Sequence, residues 1–386
     1  MFALGASQAL YGPFFPYFSR TLGVTPAQLG LVPGVHFGGA TAGVILGGLF
    51  AQRRGYRWLL NTGGAILSMG YAAVAFAASW TTLLAGAGLL GFGFGLLVNF
   101  NILIDEAFGR LGAAALQLIN AAFSIGAISA PLIAVVSLEI GGQTTAFLVG
   151  GVVSAALTTV LVLHRSAADH MLAEERRRTG ADGSPNEGGN RRALLVPVAL
   201  FLPLYLVYPG AEASFSNWMP THLFSLLSVA AASAVTSGFW LAFTVGRLAA
   251  VPLSTRLQPS VLVVAAIAVS TVGAVAATVD GLAPVAYLVA GFALGPVFPG
   301  GLSWLRSRYP RRAGEASSII IAAGGVGGMV LPPLVGLVVD RAGAGMVPVA
   351  LSTVMVFAIF MALIIAVSGR TRGSAKPLHP DQAAPG

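Results

Sequence analysis

The sequence predicts an all-α membrane protein with twelve transmembrane helices in two six-helix lobes, related as parallel repeats. Three observations carry the prediction. The chain repeats itself, it is too apolar for water to be its solvent, and its arginines gather on one side of its apolar runs. Residues 121–142 read AAFSIGAISAPLIAVVSLEIGG and residues 322–343 read AAGGVGGMVLPPLVGLVVDRAG. An offset of 201 places Gly126 on Gly327, Pro131 on Pro332, Glu139 on Asp340 and Gly142 on Gly343. GFGFG at 91–95 matches GFALG at 291–295 at an offset of 200, and GLFAQRRG around Arg53 pairs more loosely with VPLSTRLQ around Arg256. Internal duplication in a very apolar chain is the mark of a two-lobed membrane fold.

The 386 residues are 56% hydrophobic and 9% charged, with a mean hydropathy of +0.84. A soluble domain carries roughly 25% charged residues. Such a chain cannot cover its surface in water, so its partner is the lipid bilayer. Zero cysteines exclude a disulfide framework, a thiolate metal site and a cysteine nucleophile. No nucleophile, base or metal-ligand cluster points to an enzyme, and no metal or cofactor is expected. The formal charge of +8 sits in short loops between apolar runs, where it sets topology and does not imply nucleic acid. The 50 glycines suit close helix contacts, and Gly91 to Gly95, deep in an apolar run, is no phosphate cradle.

Apolar runs of about 17–25 residues are helix candidates. In order they are 2–18, 27–50, 58–78, 82–104, 114–138 and 144–163, then 194–219, 229–253, 260–279, 282–305, 317–339 and 346–367. The first begins almost at Met1 and has a counterpart in the second half, unlike a cleaved leader. The fourth and tenth hold the matching glycine pairs, and the fifth and eleventh hold the long repeat. The seventh is interrupted by Pro209 and Gly210. Proline and glycine inside such runs are tolerated where neighbouring helices satisfy the freed backbone groups. The domains read as a first lobe at 1–164, a charged, glycine-rich linker at 165–192, a second lobe at 193–368 and a tail at 369–386. With the loop after the first helix outside, 19 of the 21 basic residues fall in the even loops, linker and tail, and only Arg20 and Arg341 fall outside. This puts both termini in the cytoplasm and the protein in the cell membrane as a multi-pass chain; a monomer is expected.

Six plus six helices, a long linker and parallel repeats resemble the major facilitator superfamily. The loop GLFAQRRGYR is similar to that family's G-x-L-A-D-R-x-G-R-R motif through Gly48, Ala51, Arg53, Gly55 and Arg57, with Gln52 in place of the acid. The eighth run, FWLAFTVGRLAAVPLSTR, has Gly246, Arg247 and Arg256 at the equivalent places, with Thr255 at the acidic one. Within the superfamily the fucose–galactose–hexose permease branch is the nearest resemblance. GAEASFSNWMPTHL from Gly210, FWLAFTVGRL from Phe239 and GPVFPGGLSWLRSRYP from Gly295 carry it. The resemblance implies a secondary transporter, working by alternating access on a small neutral solute such as a sugar. It implies proton coupling through acids in the first and fourth helices. Here the first helix has Gln8 and Tyr11 but no acid, and the fourth has Asp105 and Glu106 only at its end. Uncoupled uniport and export of a drug or lipid are the alternatives.

Polar groups inside hydrocarbon are costly and usually face the bundle interior. Glu212 is the one carboxylate well inside a predicted span, and Tyr205, Tyr208, Glu212 and Ser216 share one helix face. Glu212 is therefore the candidate for both solute binding and ion coupling, against a plain interhelical hydrogen bond. Gln117, Asn120 and Ser124 form a second stripe, and Gln8, Tyr11 and Phe15 a third, each suited to sugar hydroxyls or to helix packing. His36 either meets solute or packs as a neutral ring. Asn99 and Asn101 point apart, and Asn99 is the one expected to face a cavity. Trp240 either stacks on a sugar or anchors an interface. Arg53, Arg57, Arg247 and Arg256 are read as a cytoplasmic gate, with the simpler alternative that they only set topology.

Overall fold

The apolar runs all form helices. The computed structural model describes residues 1–101, 112–163, 191–310 and 312–370. The first lobe contains α1 (Phe2–Leu22), α2 (Pro26–Arg54), α3 (Tyr56–Ala75), α4 (Trp80–Val98), α5 (Gly112–Ile140) and α6 (Gly142–Leu163). The second contains α7 (Arg191–Leu226), α8 (Val229–Ser254), α9 (Pro259–Ala276), α10, α11 (Ala313–Ala342) and α12 (Val347–Arg370). α10 is broken into halves, Ala283–Leu294 and Val297–Arg308. Ten of the twelve are long and apolar enough to cross a membrane. The other two, α1 and α3, carry residues that lower their hydropathy: Gln8, Tyr11, Pro13 and Pro16 in α1, and Arg57 and Asn61 in α3. Most of the expected linker, the tail beyond Arg370, and Asp105, Glu106 and Arg110 lie outside the described residues.

Local chemistry sets the helix ends. Thr25 caps α2 by accepting from the Gln28 amide, while Gln28 Oε1 accepts from the Thr25 amide, and Pro26 occupies the first turn. Ser79 and Thr82 form the same reciprocal cap on α4. A single residue, Gly55, joins α2 to α3 with φ 82° and ψ 160°, a region closed to side chains. This accounts for the glycine of the loop motif.

The repeat is visible as a repeated set of helix contacts. In the first lobe α1 packs on α5, α2 on α4, and α3 on α4 and α6; in the second α7 packs on α11, α8 on α10, and α9 on α10 and α12. The matched glycines sit at matched crossings. A Cβ on Gly91 or Gly95 of α4 would meet the His36 or Ala40 carbonyl of α2 at 1.9 or 2.0 Å. Its repeat partner Gly295 of α10 would meet the Phe243 carbonyl of α8 at 2.2 Å. Gly126 stands likewise against Phe2 of α1, and Gly327 against Leu206 of α7. With no hydrophobic drive between helices in lipid, this close contact supplies the attraction. Gly142 and Gly343, also repeat partners, both have positive φ, 60° and 84°.

Among the described residues the main helix pairs that cross between lobes are α2 with α11, α5 with α8, and α1 with α7. We call the bundle end that carries the start of α1 and the α2–α3 turn proximal, and the other end distal. Close interlobe contacts concentrate toward the distal end. A Cβ on Gly30 would lie 2.8 Å from Pro333, and one on Gly336 would lie 2.7 Å from the Pro26 carbonyl. Phe15 of α1 meets Trp218 of α7 edge to face at 4.9 Å, and the Trp218 indole donates to the Pro332 carbonyl of α11 at 2.8 Å. Toward the proximal end Ile45 and Leu49 of α2 and Ile319 and Ile321 of α11 are exposed.

Among the close crossings of the second lobe is α8 on α10. A Cβ on Gly246 would fall 1.8 Å from the Phe292 carbonyl, so Gly246→Ala must push two backbones apart. We expect a loss of about 1–3 kcal/mol, read as a lower melting temperature in detergent. Gly345→Ala, with nothing within 4 Å, should melt as the parent does. Equal melting of both variants would contradict the crossing.

Candidate functional site

Proline chemistry builds the site. Pro296 and Pro299 in α10 have no N–H, so the carbonyls of Phe292 and Gly295 lose their helical partners. In hydrocarbon such groups must be answered from elsewhere. Arg247 of α8 donates from Nε to the Gly295 carbonyl at 3.3 Å, and its guanidinium lies 4.8 Å from the centre of the Phe243 ring. Tyr208 of α7 donates to the neighbouring Leu294 carbonyl at 3.0 Å, and Tyr205 donates to the Phe298 carbonyl at 2.8 Å. Gly246, in contact with Phe292, closes the set.

The Tyr208 hydroxyl also lies 3.0 Å from Glu212 Oε2, one turn further along α7. Glu212 Oε1 accepts from the Gln8 amide of α1, in the other lobe, at 3.5 Å. The Ser216 hydroxyl reaches the Gln8 carbonyl at 3.4 Å. One network therefore joins α1, α7, α8 and the α10 break, and crosses the lobe boundary at Gln8. Gln8 and Tyr208 are buried, and Glu212 keeps part of its surface accessible.

The candidates divide into those the fold brings together and those it separates. Gln8, Tyr208 and Glu212 meet. Arg247, expected at a gate, instead stands beside them, about 10 Å inside the end of α8. Tyr205 shares the face of Glu212 in sequence, but its hydroxyl turns to α10. Tyr11 and His36 bond each other at 3.2 Å, and Tyr11 also packs on Phe147 of α6, so this pair lies within the first lobe. Asn99 departs from its expected cavity position: its amide donates to the Val44 carbonyl of α2 and to Gly95, pinning α4 to α2. Trp240 is buried among Phe239 and Phe243 with its indole N–H unpartnered. Asn120 is half-buried, and the side chain of Gln117 lies outside the described residues, as does that of Gln52. Arg53 and Arg256 are exposed and Arg57 is half-buried. No metal-ligand cluster occurs among the described residues.

The α10 carbonyls and the Gln8–Glu212 link escaped sequence reasoning. Two prolines three residues apart in GPVFP were the available sign of the first. Nothing in the sequence marked the second, which pairs residues 204 apart. Tyr208→Phe keeps the ring and removes both hydroxyl contacts, one of them to a carboxylate. We expect a loss of about 1.5–3 kcal/mol, measured by thermal unfolding, while Tyr309→Phe, whose hydroxyl has no such contacts, should change little.

Comparison with known proteins places this geometry in context. The chain is 23% identical over 403 residues to the sodium-dependent glucose transporter 1A of Mus musculus, covering 94% of this chain and 93% of that one. Its fold is similar to the xylose transporter XylE from E. coli, in a partially occluded inward open conformation. The TM-score is 0.73 at 13% identity, with 93% of each chain covered. It is also similar to the nucleoside transporter NupG, with a TM-score of 0.71 at 15% identity, covering 95% of this chain and 98% of that one. The family model of the Major Facilitator Superfamily matches residues 1–226. The chain belongs to the Major Facilitator Superfamily, and is a secondary transporter and not an enzyme.

Proposed function

We propose that this transporter moves a small, neutral, hydroxyl-rich solute, a sugar, across the cell membrane by alternating access, with Glu212 as the ion-coupling group. The observation that carries the reading is the Glu212 carboxylate held between Tyr208 of its own lobe and Gln8 of the other. A group bonded to both lobes changes its partners whenever the lobes rock, so its occupancy and the conformation are linked. Amide, phenol and carboxylate around one point match the donors and acceptors of sugar hydroxyls. The relatives named as sodium-dependent glucose transporters support a sugar and make sodium the rival to a proton as coupling ion.

In this reading residues 1–164 and 193–368 are the rocking lobes, 165–192 the linker and 369–386 the tail, with both termini cytoplasmic. The proximal end is then the cytoplasmic end, and the conformation described is inward-facing. Arg53, Arg57 and Arg256 belong to the cytoplasmic gate, and the exposure of Arg53 and Arg256 suits a gate that stands open.

The test is uptake of radiolabelled hexoses into proteoliposomes, with a proton gradient, with a sodium gradient and with neither. Glu212→Gln keeps the shape and removes the charge. The variant should still exchange bound sugar across the membrane but lose gradient-driven accumulation. Accumulation equal to the parent's would exclude Glu212 as the coupling group, and uptake indifferent to both gradients in the parent would make the protein a uniporter.

The gate gives a second expectation. Gln52 and Thr255 stand where the family motif has acids, which weakens the charge network that closes the cytoplasmic end. Gln52→Asp should shift the population toward outward-open, measured by double electron–electron resonance between spin labels on the proximal loops. Unchanged distance distributions would remove Gln52 from the account.

A further inference from the structure

Buried hydroxyls in this chain usually close onto their own helix. Ser214, Thr236 and Ser352 each donate to the carbonyl four residues earlier. Ser233 and Ser237 of α8 do not. Their hydroxyls and the indole N–H of Trp240 have no hydrogen-bond partner among the described residues, although the three residues are only 1%, 6% and 1% exposed. A buried polar group left unpaired costs roughly 1–3 kcal/mol. Elsewhere Asn217 Oδ1 and Thr221 Oγ1 of α7 form an unpartnered pair one turn apart, and Ser270 of α9 stands singly on its helix.

These three fall on one face, at i, i+4 and i+7, and Thr244 and Arg247 continue the stripe at i+11 and i+14. The face is not the one that packs on α10. That side is fixed by Gly238, Phe239 and Gly246, whose contacts are Leu288, Gly291 and Phe292, and the stripe lies about a third of a turn away. Beyond α7 and α10, α8 packs on α5 of the other lobe. A fourth orphan, Asn217 Oδ1, is on α7 where Gly12 of α1 touches the Asn217 backbone. The unpaired groups thus follow the lobe boundary through its closed, distal half.

We propose that Ser233, Ser237 and Trp240 form a second solute subsite, distal to Glu212, which takes a neutral polyhydroxylated solute when the distal end opens. The proposal rests on the transport reading above. Serine hydroxyls both donate and accept, the indole N–H donates, and the indole face suits the apolar C–H side of a sugar ring. The subsite holds no charge, which selects against ions. Ser233 and Trp240 are about 10 Å apart along α8, and Arg247 is about 10 Å further. A solute leaving this subsite therefore follows the same stripe to the network around Glu212. In the conformation described the subsite is shut and its groups are left unpaired.

The absence of native cysteine makes the test direct. Single variants Ser237→Cys, Ser233→Cys, Leu241→Cys and Gly281→Cys, in oriented proteoliposomes, would be exposed on each side in turn to a membrane-impermeant methanethiosulfonate. Leu241 is a lipid-facing control, 52% exposed, and Gly281 is an open loop position at the distal end. Ser237→Cys should react from the distal side only, several-fold faster than Leu241→Cys, and D-glucose should slow it several-fold. No reaction of Ser237→Cys and Ser233→Cys from that side, while Gly281→Cys reacts, would overturn the subsite. Reaction that D-glucose leaves unchanged, in a variant that still takes up D-glucose, would overturn it as well. A parent that does not take up D-glucose refutes the sugar reading separately; distal wetting of Ser237→Cys would then still support the subsite, and its absence would still overturn it.

Discussion

A carbonyl released inside hydrocarbon has to be satisfied by another protein group, and the second lobe is arranged around one place where this happens. Pro296 and Pro299 break α10, and Arg247, Tyr208 and Tyr205 converge on the carbonyls around the break. That requirement accounts for a guanidinium deep in an apolar helix better than a gate does. It also explains why α7 presents two tyrosines to α10. The bond from Tyr208 to Glu212 then carries the backbone constraint into the polar centre. Glu212 is thus positioned by the repair of a broken helix as much as by its own helix.

Around this centre the fold is held by backbone contact more than by side-chain volume. Glycines at the α4–α2, α10–α8, α5–α1 and α11–α7 crossings bring main chains together so closely that even a methyl group would collide. The pairing is the same in both lobes because the duplicated sequence carries the same glycines. Within each lobe these crossings leave little freedom. Between lobes the contacts are fewer and concentrate at one end, through Trp218, Phe15, Gly30 and Pro333. Rigid lobes with a one-sided boundary are what alternating access requires.

Much of this fold was legible in the sequence, because helix length, apolarity and repeat offsets are local properties. The glycine pairs at 91–95 and 291–295 pointed to helix crossings, which is what they make. The site was legible in part. Glu212 stood out as an intramembrane acid, and Tyr208 followed from its spacing. Tyr205 has the same spacing but turns to α10, since Pro209 interrupts α7 and side-chain direction there depends on neighbours. Tyr11 and His36 find each other inside one lobe, and Asn99 finds the backbone of α2, outcomes that periodicity along a single helix cannot resolve. The hold on Arg247 was hidden for a related reason: a motif position indicates a helix end, while the carbonyl that holds the side chain is far away in sequence.

The one-residue turn at Gly55 has a mechanical consequence. With φ 82° and ψ 160° it leaves no slack between α2 and α3. α2 faces the other lobe, while α3 lies behind it against α4 and α6. Any tilt of α2 against α11 is therefore handed at once to α3, and through it to the rear of the lobe. The turn works as a stiff lever, converting movement at the boundary into rotation of all the helices behind it. A longer, softer loop at this point would let α2 tilt alone and uncouple the two sides of the membrane.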